Sequence, residues 1–592
     1  MTTYKAPTED IMFLFNELSD NKHFKEIDEY KEVNTELVQS IISEAAKMTE
    51  NIVFPLAKSG DEYGCKLENG VVRTPPGYKE AYEKFIADGW TSLACDPKYG
   101  GQGLPKSISI FFDEMMTSSS LSFKLYSELS HGAYNCIYHH ASEGIKNKFL
   151  PKMVEGKWSG TMCLTESHCG TDLGILKTKA TPQNDNTYKI TGQKIFISCG
   201  DHDLTENIIH LVLARLPDAP VGTKGISLFL VPKFNINDDG SIGIRNGVST
   251  GSIENKMGIK GNATCVLNFD EALGYLIGEK NKGLNAMFTM MNLERIVVGI
   301  QGIGLAETAF QNALIYALDR KQGRKDRRQP TKEDLADPII FHADVRKNIL
   351  IMKSLIEGER ALAFWLAQYA DVMLKHNDQK IKEEAADLVA LMTPAVKSFF
   401  TDIGVEITNN AMQIFGGHGY IKEHGMEQLV RDIRIAPIYE GTNAVQAIDL
   451  VLRKLIMKEG KVIESYLTYI DKEIDKFNSN DNLKEFCSSL KKYNHTLKDL
   501  TSWIQHNLKT NQDSVNAAAT EYLNIFSLVS IGMMWLKMSD VAHRKISENK
   551  DFYKSKIDCA NIFFTRILTR IDAYSNIKLE SETIMNYNFE NK

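Results

Sequence analysis

Residues 163–172, CLTESHCGTD, stand where the pattern of the chain changes from helical to β. Upstream, apolar residues recur at helical spacing, as in the stretch 37–48. Downstream, short runs rich in β-branched and aromatic residues are separated by Asn, Asp, Gly and Pro. These runs are TYKITGQKIFIS (187–198), NIIHLVLARL (207–216), GISLFLVP (225–232) and TCVLNF (264–269). The sequence therefore predicts a β domain inserted between helical regions.

The pattern divides the chain into four predicted domains. Residues 1–158 form a helical domain, 159–278 the β domain, 279–460 a second helical bundle and 461–592 a helical extension. In the extension, the apolar run 522–536 is shorter than the roughly 20 residues that a membrane span needs. We expect this run to be a buried core helix and predict no membrane span.

Composition excludes several classes of protein. With 43% hydrophobic and 24% charged residues, the chain of 592 residues has the make-up of a soluble globular protein. A formal net charge of -7 gives no whole-chain attraction for nucleic acid. The nine cysteines form no C-x-x-C pair, which argues against a zinc site or a disulfide framework. The first residues show no targeting peptide. We therefore predict a cytoplasmic protein without a metal site.

Three motifs occur in order over about 280 residues: the stretch 163–172, then QIFGGHGY at 413–420, then IYEGTN at 438–443. Together they resemble the signatures of the acyl-CoA dehydrogenase family. Cys169, Ile175 and Gln428 depart from the family pattern, which has small residues at the first two positions and a basic residue at the third. The resemblance covers residues from about 30 to 460 and implies that family's fold.

The implied fold is α+β: an N-terminal helical domain, a β-barrel-like middle domain and a C-terminal helical bundle, here with an additional helical extension. The implied activity is FAD-dependent conversion of an acyl-CoA to the trans-2-enoyl-CoA, with an electron-transfer flavoprotein as electron acceptor. The opening residues and the extension resemble a large bacterial branch of the family. That likeness favours 3-methylthiopropanoyl-CoA or a short- or medium-chain fatty acyl-CoA as substrate. The alternatives are an acyl-CoA oxidase, which uses oxygen, and a catalytically silent acyl-CoA-binding protein.

A carboxylate base is the centre of the implied chemistry. Glu440 precedes a glycine and a Thr442-Asn443 pair that can cap the helix beginning AVQAID. Such a turn exposes a carboxylate at the mouth of a pocket, and bound substrate should raise its pKa by excluding water. The resemblance makes Glu440 the base that removes the α-proton. Glu294 occupies the position from which other branches supply the base, and we interpret it as a structural ion-pair partner or a residue of the pocket wall.

The resemblance also implies which residues bind the cofactor and the substrate. The flavin side is predicted to include Met162, Leu164, Thr165, Gly170, Thr171, Phe196, Ser198 and Thr442. Residues that reach the adenosine half of FAD from a neighbouring subunit are predicted to be Arg320, Gln413, Gly416 and Gly417. Substrate contacts are predicted at Thr171, Asn292, Arg295, Tyr439 and Gly441. Shorter family members commonly pair as tetramers through their C-terminal helices, so we expect the extension to leave a homodimer.

Overall fold

The computed structural model describes residues 2–326, 331, 335–578 and 581–590, and only the backbone at 289, 290, 292, 293, 577, 578, 581 and 582. The helices before the main sheet are α1 (Thr8–Leu18), α2 (Lys22–Lys25), α3 (Thr35–Met48), α4 (Phe54–Tyr63), α5 (Tyr78–Ala87), α6 (Lys106–His140) and α7 (Glu143–Val154). Strands β1 (Lys66–Glu68) and β2 (Val71–Arg73) form a hairpin between α4 and α5.

The four strands that the sequence predicts are present in the β-rich segment, which is described throughout residues 158–277 and has nine strands. They are β3 (Trp158–Cys163), β4 (Lys179–Pro182), β5 (Tyr188–Ser198), β6 (Asn207–Arg215), β7 (Ile226–Pro232), β8 (Phe234–Ile236), β9 (Ile242–Arg245), β10 (Val248–Ile253) and β11 (Thr264–Ile277). Strands β11, β5, β4, β6 and β7 pair in turn, and β7 pairs back with β11. This pairing closes a ring, as expected for a β-barrel-like domain. Strands β6 and β7 are almost wholly buried, which explains their unbroken apolar runs.

Helices make up the rest of the chain. They are α8 (Gly283–Asp319), α9 (Ala343–Lys375), α10 (Gln379–Ile414), α11 (Met426–Ile433), α12 (Asn443–Asp449), α13 (Lys461–Phe477), α14 (Lys484–Asn507), α15 (Gln512–Ala517), α16 (Ala519–Lys545), α17 (Lys550–Ile562), α18 (Ile571–Tyr574) and α19 (Ser581–Asn586). By spatial contacts the chain forms two compact units. The helical unit comprises residues 1–43, 105–118 and 295–592, and the β unit comprises 44–104 and 119–294.

The extension belongs to the helical unit and packs on α9 through α16. The indole N–H of Trp535 donates a hydrogen bond to the carbonyl of Ser354, at 3.0 Å. At Gly358 a Cβ atom would lie 2.6 Å from both Ile531 and Trp535, so only glycine allows this close helix approach. Helices α10 and α16 are long and apolar enough to cross a membrane, yet 78% and 94% of their apolar windows are buried in the protein. The predicted buried core helix at 522–536 is confirmed.

A buried ionic cluster joins the extension to the start of the chain. The guanidinium of Arg360 on α9 contacts Asp10 on α1, Glu114 on α6 and Glu307 on α8, all within 2.6 Å. Lys556 on α17 contacts both Asp10 and Glu357, the latter at 2.9 Å. We call these six residues, Asp10, Glu114, Glu307, Glu357, Arg360 and Lys556, the ionic cluster. Burial alone would raise the pKa of Asp10, but Lys556 and Arg360 lower it to about 2.

Candidate active site

Glu440 lies in a turn of left-handed backbone. Its φ is 55° and that of Gly441 is 83°, so two consecutive residues occupy a region that side chains disfavour. At Gly441 a Cβ atom would lie 2.6 Å from the amide nitrogen of Gln446, so glycine is required there. The hydroxyl of Thr442 accepts a hydrogen bond from the backbone N–H of Val445 at 3.4 Å and caps α12. The predicted helix cap is confirmed.

Buried side chains hold the backbone carbonyls of this turn. Arg295 Nε and Gln446 Nε2 donate to the carbonyl of Glu440, at 3.3 and 3.1 Å. Lys397 Nζ donates to the carbonyl of Gly441 at 2.8 Å. A non-glycine residue in left-handed backbone costs on the order of 1–3 kcal/mol and persists only where its surroundings over-determine it. The three donors meet that condition, and the half-buried Glu440 is therefore held in a defined place.

Tyr439 and Asn443 fix the two ends of the turn. The hydroxyl of Tyr439 donates to the amide oxygen of Gln301 on α8. The amide nitrogen of Asn443 donates to the carbonyl of Ser398 at 3.0 Å and to the carboxylate of Asp402 at 2.8 Å, both on α10. The turn is thus attached to two long helices. Among the predicted site residues, Glu440, Gly441, Thr442, Tyr439 and Arg295 are brought together here.

Two residues predicted to contact substrate, Arg295 and Asn292, lie on α8 close to Glu294. Arg295 is buried and bonded to the Glu440 carbonyl, and burial lowers its pKa against the pull of Glu440. Its contact with CoA stays a prediction. The side chain of Asn292 lies outside the described part of the structure. Glu294 is buried, with 3% of its surface exposed.

The predicted flavin residues form a second group, in the β unit. The loop that follows β3 is attached to β5: Ile195 N donates to the carbonyl of Thr165 at 2.9 Å, and Lys194 Nζ donates to that of Leu164 at 2.8 Å. Lys194 also forms a buried ion pair with Glu166 at 2.8 Å. Burial alone would raise the pKa of Glu166, but Lys194 and hydrogen bonds from neighbouring residues lower it to about 2. Glu166 is therefore a structural anchor of the loop.

Cys169, which departs from the family pattern, fits without displacing this loop. Its backbone pairs with that of Glu166 in both directions, at 2.9 and 3.0 Å. Its side chain is 5% exposed and points away from solvent. Ile175, the other departure, is half exposed and ends a short 3₁₀ turn, Leu173–Ile175. The exposed Gly170 and Thr171 keep the loop's surface polar.

Phe196 is presented to solvent by a β-bulge. Ile197 pairs with Cys265 and Lys194 pairs with Leu267, so two residues of β5 oppose one residue of β11. The bulge places Phe196 at φ 58° and leaves 59% of its side chain exposed. A bulge redirects a side chain, and here it turns an aromatic ring out of the core. The exposed ring is therefore available to a ligand.

The residues of this group fit a flavin. The exposed aromatic ring of Phe196 and the half-buried side chain of Leu164 offer apolar surface to a planar ring system. The hydroxyls of Thr165 and Ser198, both half-buried, can hydrogen-bond its polar edge. Met162 is nearly buried and lies near the end of β3, just before the loop.

The predicted adenosine residues form a third group, in the helical unit. Tyr316 stacks on Phe415 with ring centroids 4.1 Å apart, and its hydroxyl lies 2.8 Å from His418 Nδ1. This packing brings the end of α8, with the exposed Arg320, next to the turn after α10. The other predicted residues of the group are also exposed: Gln413 lies in the last turn of α10, and Gly416 and Gly417 lie in the turn that follows it. At both glycines a Cβ atom would meet nothing within 4 Å, so the surface there is open.

Two clusters of metal-ligating side chains occur among the described residues, and hydrogen bonds already engage both. His376 Nδ1 accepts from the backbone N–H of Asp378 at 3.0 Å, so its Nε2 carries the proton and faces Glu26 as a donor. His168 Nε2 donates to the carbonyl of Ile175 at 3.0 Å. Nε2 of His376 and Nε2 of His168 are thus engaged as hydrogen-bond donors. We derive no metal chemistry from either cluster.

Sequence reasoning missed Lys397 and Gln446. Neither residue lies in one of the three motifs, and Gln446 lies in the first turn of the capped helix α12. Lys397 interrupts the apolar stretch TPAVKSFF at 393–400. A lone lysine in an apolar helical run is the one signal that indicates a buried cation with a specific partner.

Comparison with known proteins decides the family. Family models match in order: "Acyl-CoA dehydrogenase, N-terminal domain" at 26–157, "middle domain" at 161–272 and "C-terminal domain" at 281–455. "Acetyl-CoA dehydrogenase C-terminal like" matches residues 470–587. A butyryl-CoA dehydrogenase of Syntrophomonas wolfei is 34% identical over 95% of both chains. The chain belongs to the acyl-CoA dehydrogenase family. The predicted family, its fold and an FAD-dependent oxidoreductase are confirmed.

The chain is also similar, in sequence and in fold, to two further members of the acyl-CoA dehydrogenase family. A 3-methylmercaptopropionyl-CoA dehydrogenase of Ruegeria pomeroyi is 42% identical over 470 residues, which is 79% of either chain. The crystal structure of an acyl-CoA dehydrogenase complexed with FAD from Bacillus anthracis superposes with a TM-score of 0.74 at 20% identity. The superposition covers 99% of this chain and 93% of the chain from Bacillus anthracis, so the fold match includes the extension.

Proposed function

We propose that the protein oxidises an acyl-CoA thioester to the trans-2-enoyl-CoA, with Glu440 as the base that takes the α-proton. The observation that carries this proposal is the left-handed turn at Glu440, whose backbone is held by Arg295, Gln446 and Lys397. A base must be held in a fixed position relative to the proton that it removes, because a small displacement lowers the reaction rate by a large factor. Nothing in a helix cap alone requires so many buried donors.

Each group of residues has a distinct task in this proposal. Bound FAD supplies the hydride acceptor. Phe196, Leu164, Thr165 and Ser198 present an apolar face and hydroxyls to the flavin. Glu440 accepts the α-proton at its carboxylate. The pKa of this carboxyl group rises toward neutral pH once apolar substrate displaces water. The exposed Thr171 contacts substrate or pyrophosphate.

We propose 3-methylthiopropanoyl-CoA or a short- or medium-chain fatty acyl-CoA as the substrate. The names of the two relatives, 3-methylmercaptopropionyl-CoA dehydrogenase and butyryl-CoA dehydrogenase, support an acyl group of a few carbons. The test is turnover of purified protein with a panel of acyl-CoAs and an artificial electron acceptor. A kcat/KM that is highest for 3-methylthiopropanoyl-, butanoyl- or hexanoyl-CoA is the expected result. Preference for long-chain thioesters would contradict the proposed range.

An electron-transfer flavoprotein is the proposed acceptor, and a cytoplasmic location is proposed with it. An acyl-CoA oxidase would instead deliver electrons to oxygen. The same panel repeated with oxygen as the only acceptor separates the two, because an oxidase forms one hydrogen peroxide per enoyl-CoA. We expect slow turnover with oxygen and fast turnover with a flavoprotein acceptor.

Arg320 is expected to bind FAD across a subunit interface. Loss of one charge-assisted hydrogen bond costs roughly 1.5–3 kcal/mol, which corresponds to a cofactor affinity about 10- to 100-fold weaker. We therefore expect Arg320→Ala to lose FAD on gel filtration and to dissociate more readily. Arg346→Ala, which removes an exposed arginine on α9, is the control and should keep FAD. A monomeric Arg320→Ala protein with full FAD content would contradict this prediction.

The extension is expected to leave a dimer. Helix α16 covers α9 through Trp535 and Ile531, so a second copy cannot use that face of α9. Light scattering of the full-length protein should give the mass of two chains. Truncation after Gly460 uncovers this apolar face and should produce tetramers or aggregates. A stable tetramer of the full-length protein would show that the extension does not block pairing.

A further inference from the structure

Lys397 is a buried lysine that faces the turn of Glu440. It lies on α10 with none of its surface exposed. Its Nζ stands 2.8 Å from the carbonyl oxygen of Gly441 and 2.8 Å from the amide oxygen of Asn443. A fully buried lysine is rare unless it has specific partners. Here the partners are the residues one and three positions after Glu440.

We propose that Lys397 is a positioning residue for Glu440, holding the left-handed turn so that the carboxylate faces the α-carbon of the substrate. This inference rests on the proposed role of Glu440 as the base. The side chain of Lys397 contacts the backbone carbonyl of Gly441 and the side chain of Asn443. It affects the reaction only through the position of Glu440.

The amide of Asn443 is oriented for this contact. Its nitrogen donates to Ser398 O, Thr401 Oγ1 and Asp402 Oδ1, at 3.0, 2.9 and 2.8 Å. Its oxygen is thereby turned toward Lys397. Helix α10 thus both donates hydrogen bonds to the turn and accepts hydrogen bonds from it, and the turn cannot shift along the helix without breaking both sets.

The contact does not depend on the charge of the lysine. Burial lowers the pKa of Lys397 to about 7, opposed by the attraction of Glu440 and Asp402 and assisted by the repulsion of Arg295. A neutral amine keeps two N–H groups, which equals the number of acceptors that Nζ contacts. Both hydrogen bonds therefore form in either protonation state. Position, rather than charge, is what Lys397 supplies to the turn.

The test compares Lys397→Met with Lys380→Met. Methionine has a similar length but no donor, and Lys380 is an exposed lysine on the same helix. We expect Lys397→Met to lower kcat by about 10²-fold, as a displaced catalytic group does, with little change in KM or FAD content. Hydrogen–deuterium exchange, which needs no turnover, should be faster in peptides that cover 439–446 and unchanged elsewhere. Lys380→Met should match the natural protein in every measurement.

Three results would overturn the inference. One is an unchanged kcat in Lys397→Met. Another is a fall in kcat with equal losses of substrate affinity and FAD and faster exchange throughout α10, which would show a general structural role. If the methionine variant does not fold, Lys397→Gln replaces it: glutamine keeps a donor on a shorter side chain, and this variant should lose part of kcat. The third contradicting result is that neither variant folds. Inactive natural protein would refute the proposed function instead, and the exchange data would still test Lys397.

Discussion

Glu440→Gln is expected to lower the rate of acyl-CoA oxidation by about 10²–10⁴-fold, the usual effect of losing a general base. Glutamine preserves the shape of the side chain and leaves the backbone carbonyl of Glu440 bonded to Arg295 and Gln446. The turn should therefore stay folded while its proton acceptor is lost. Stopped-flow absorbance of the flavin after anaerobic mixing with acyl-CoA measures the effect directly.

Glu294→Gln is the matched control for Glu440→Gln. Both changes neutralise one carboxylate, and Glu294 occupies the base position of other branches of the family. We expect Glu294→Gln to retain most of the flavin reduction rate. Near-normal bleaching in Glu440→Gln together with a collapse in Glu294→Gln would show that the other carboxylate is the base.

Arg360→Leu is expected to destabilise the helical unit by about 3–5 kcal/mol, the range found when one partner of a buried ion pair is removed. The change leaves Glu114 and Glu307 buried without the guanidinium that they contact at 2.6 Å. It also removes the ion pair between α1 and α9, because Asp10 loses its contact with Arg360. Urea unfolding followed by circular dichroism should show a lower midpoint.

Arg544→Leu is the control for this prediction. Arg544 pairs with Asp540 one helical turn away at 2.9 Å, and 57% of its side chain is exposed. Exposed pairs contribute roughly 0–1 kcal/mol, so this variant should unfold close to the natural protein. Equal midpoints for Arg360→Leu and Arg544→Leu would mean that the ionic cluster contributes no more to stability than a surface pair.

Local features of the molecule could be predicted from the sequence. The strands β5, β6, β7 and β11 coincide with the four β-rich runs, because their composition and spacing are local signals. The Thr442 cap is equally local, since the hydroxyl and its partner are three residues apart. The three motifs supplied the family and, through it, the candidate site residues, whose roles stay predictions.

Features that depend on distant partners could not be predicted. The contact between Lys397 and Gly441 spans 44 residues, and no spacing rule relates them. The bulge that exposes Phe196 has a register set by β11; composition alone favours the core for this aromatic, and only the family resemblance predicts it beside the flavin. The ionic cluster draws charges from five helices that are far apart in the sequence, and no local pattern relates these charges.

Anaerobic titration of the FAD-loaded protein with acyl-CoA is the most direct test of the proposed function. One equivalent of 3-methylthiopropanoyl-CoA or butanoyl-CoA per FAD is mixed with the protein, and both the flavin absorbance and the thioester product are followed. We expect the flavin to bleach and the trans-2-enoyl-CoA to form in matching amounts. A flavin that stays oxidised with every acyl-CoA of the panel, although the thioesters bind, would contradict the proposed dehydrogenase activity.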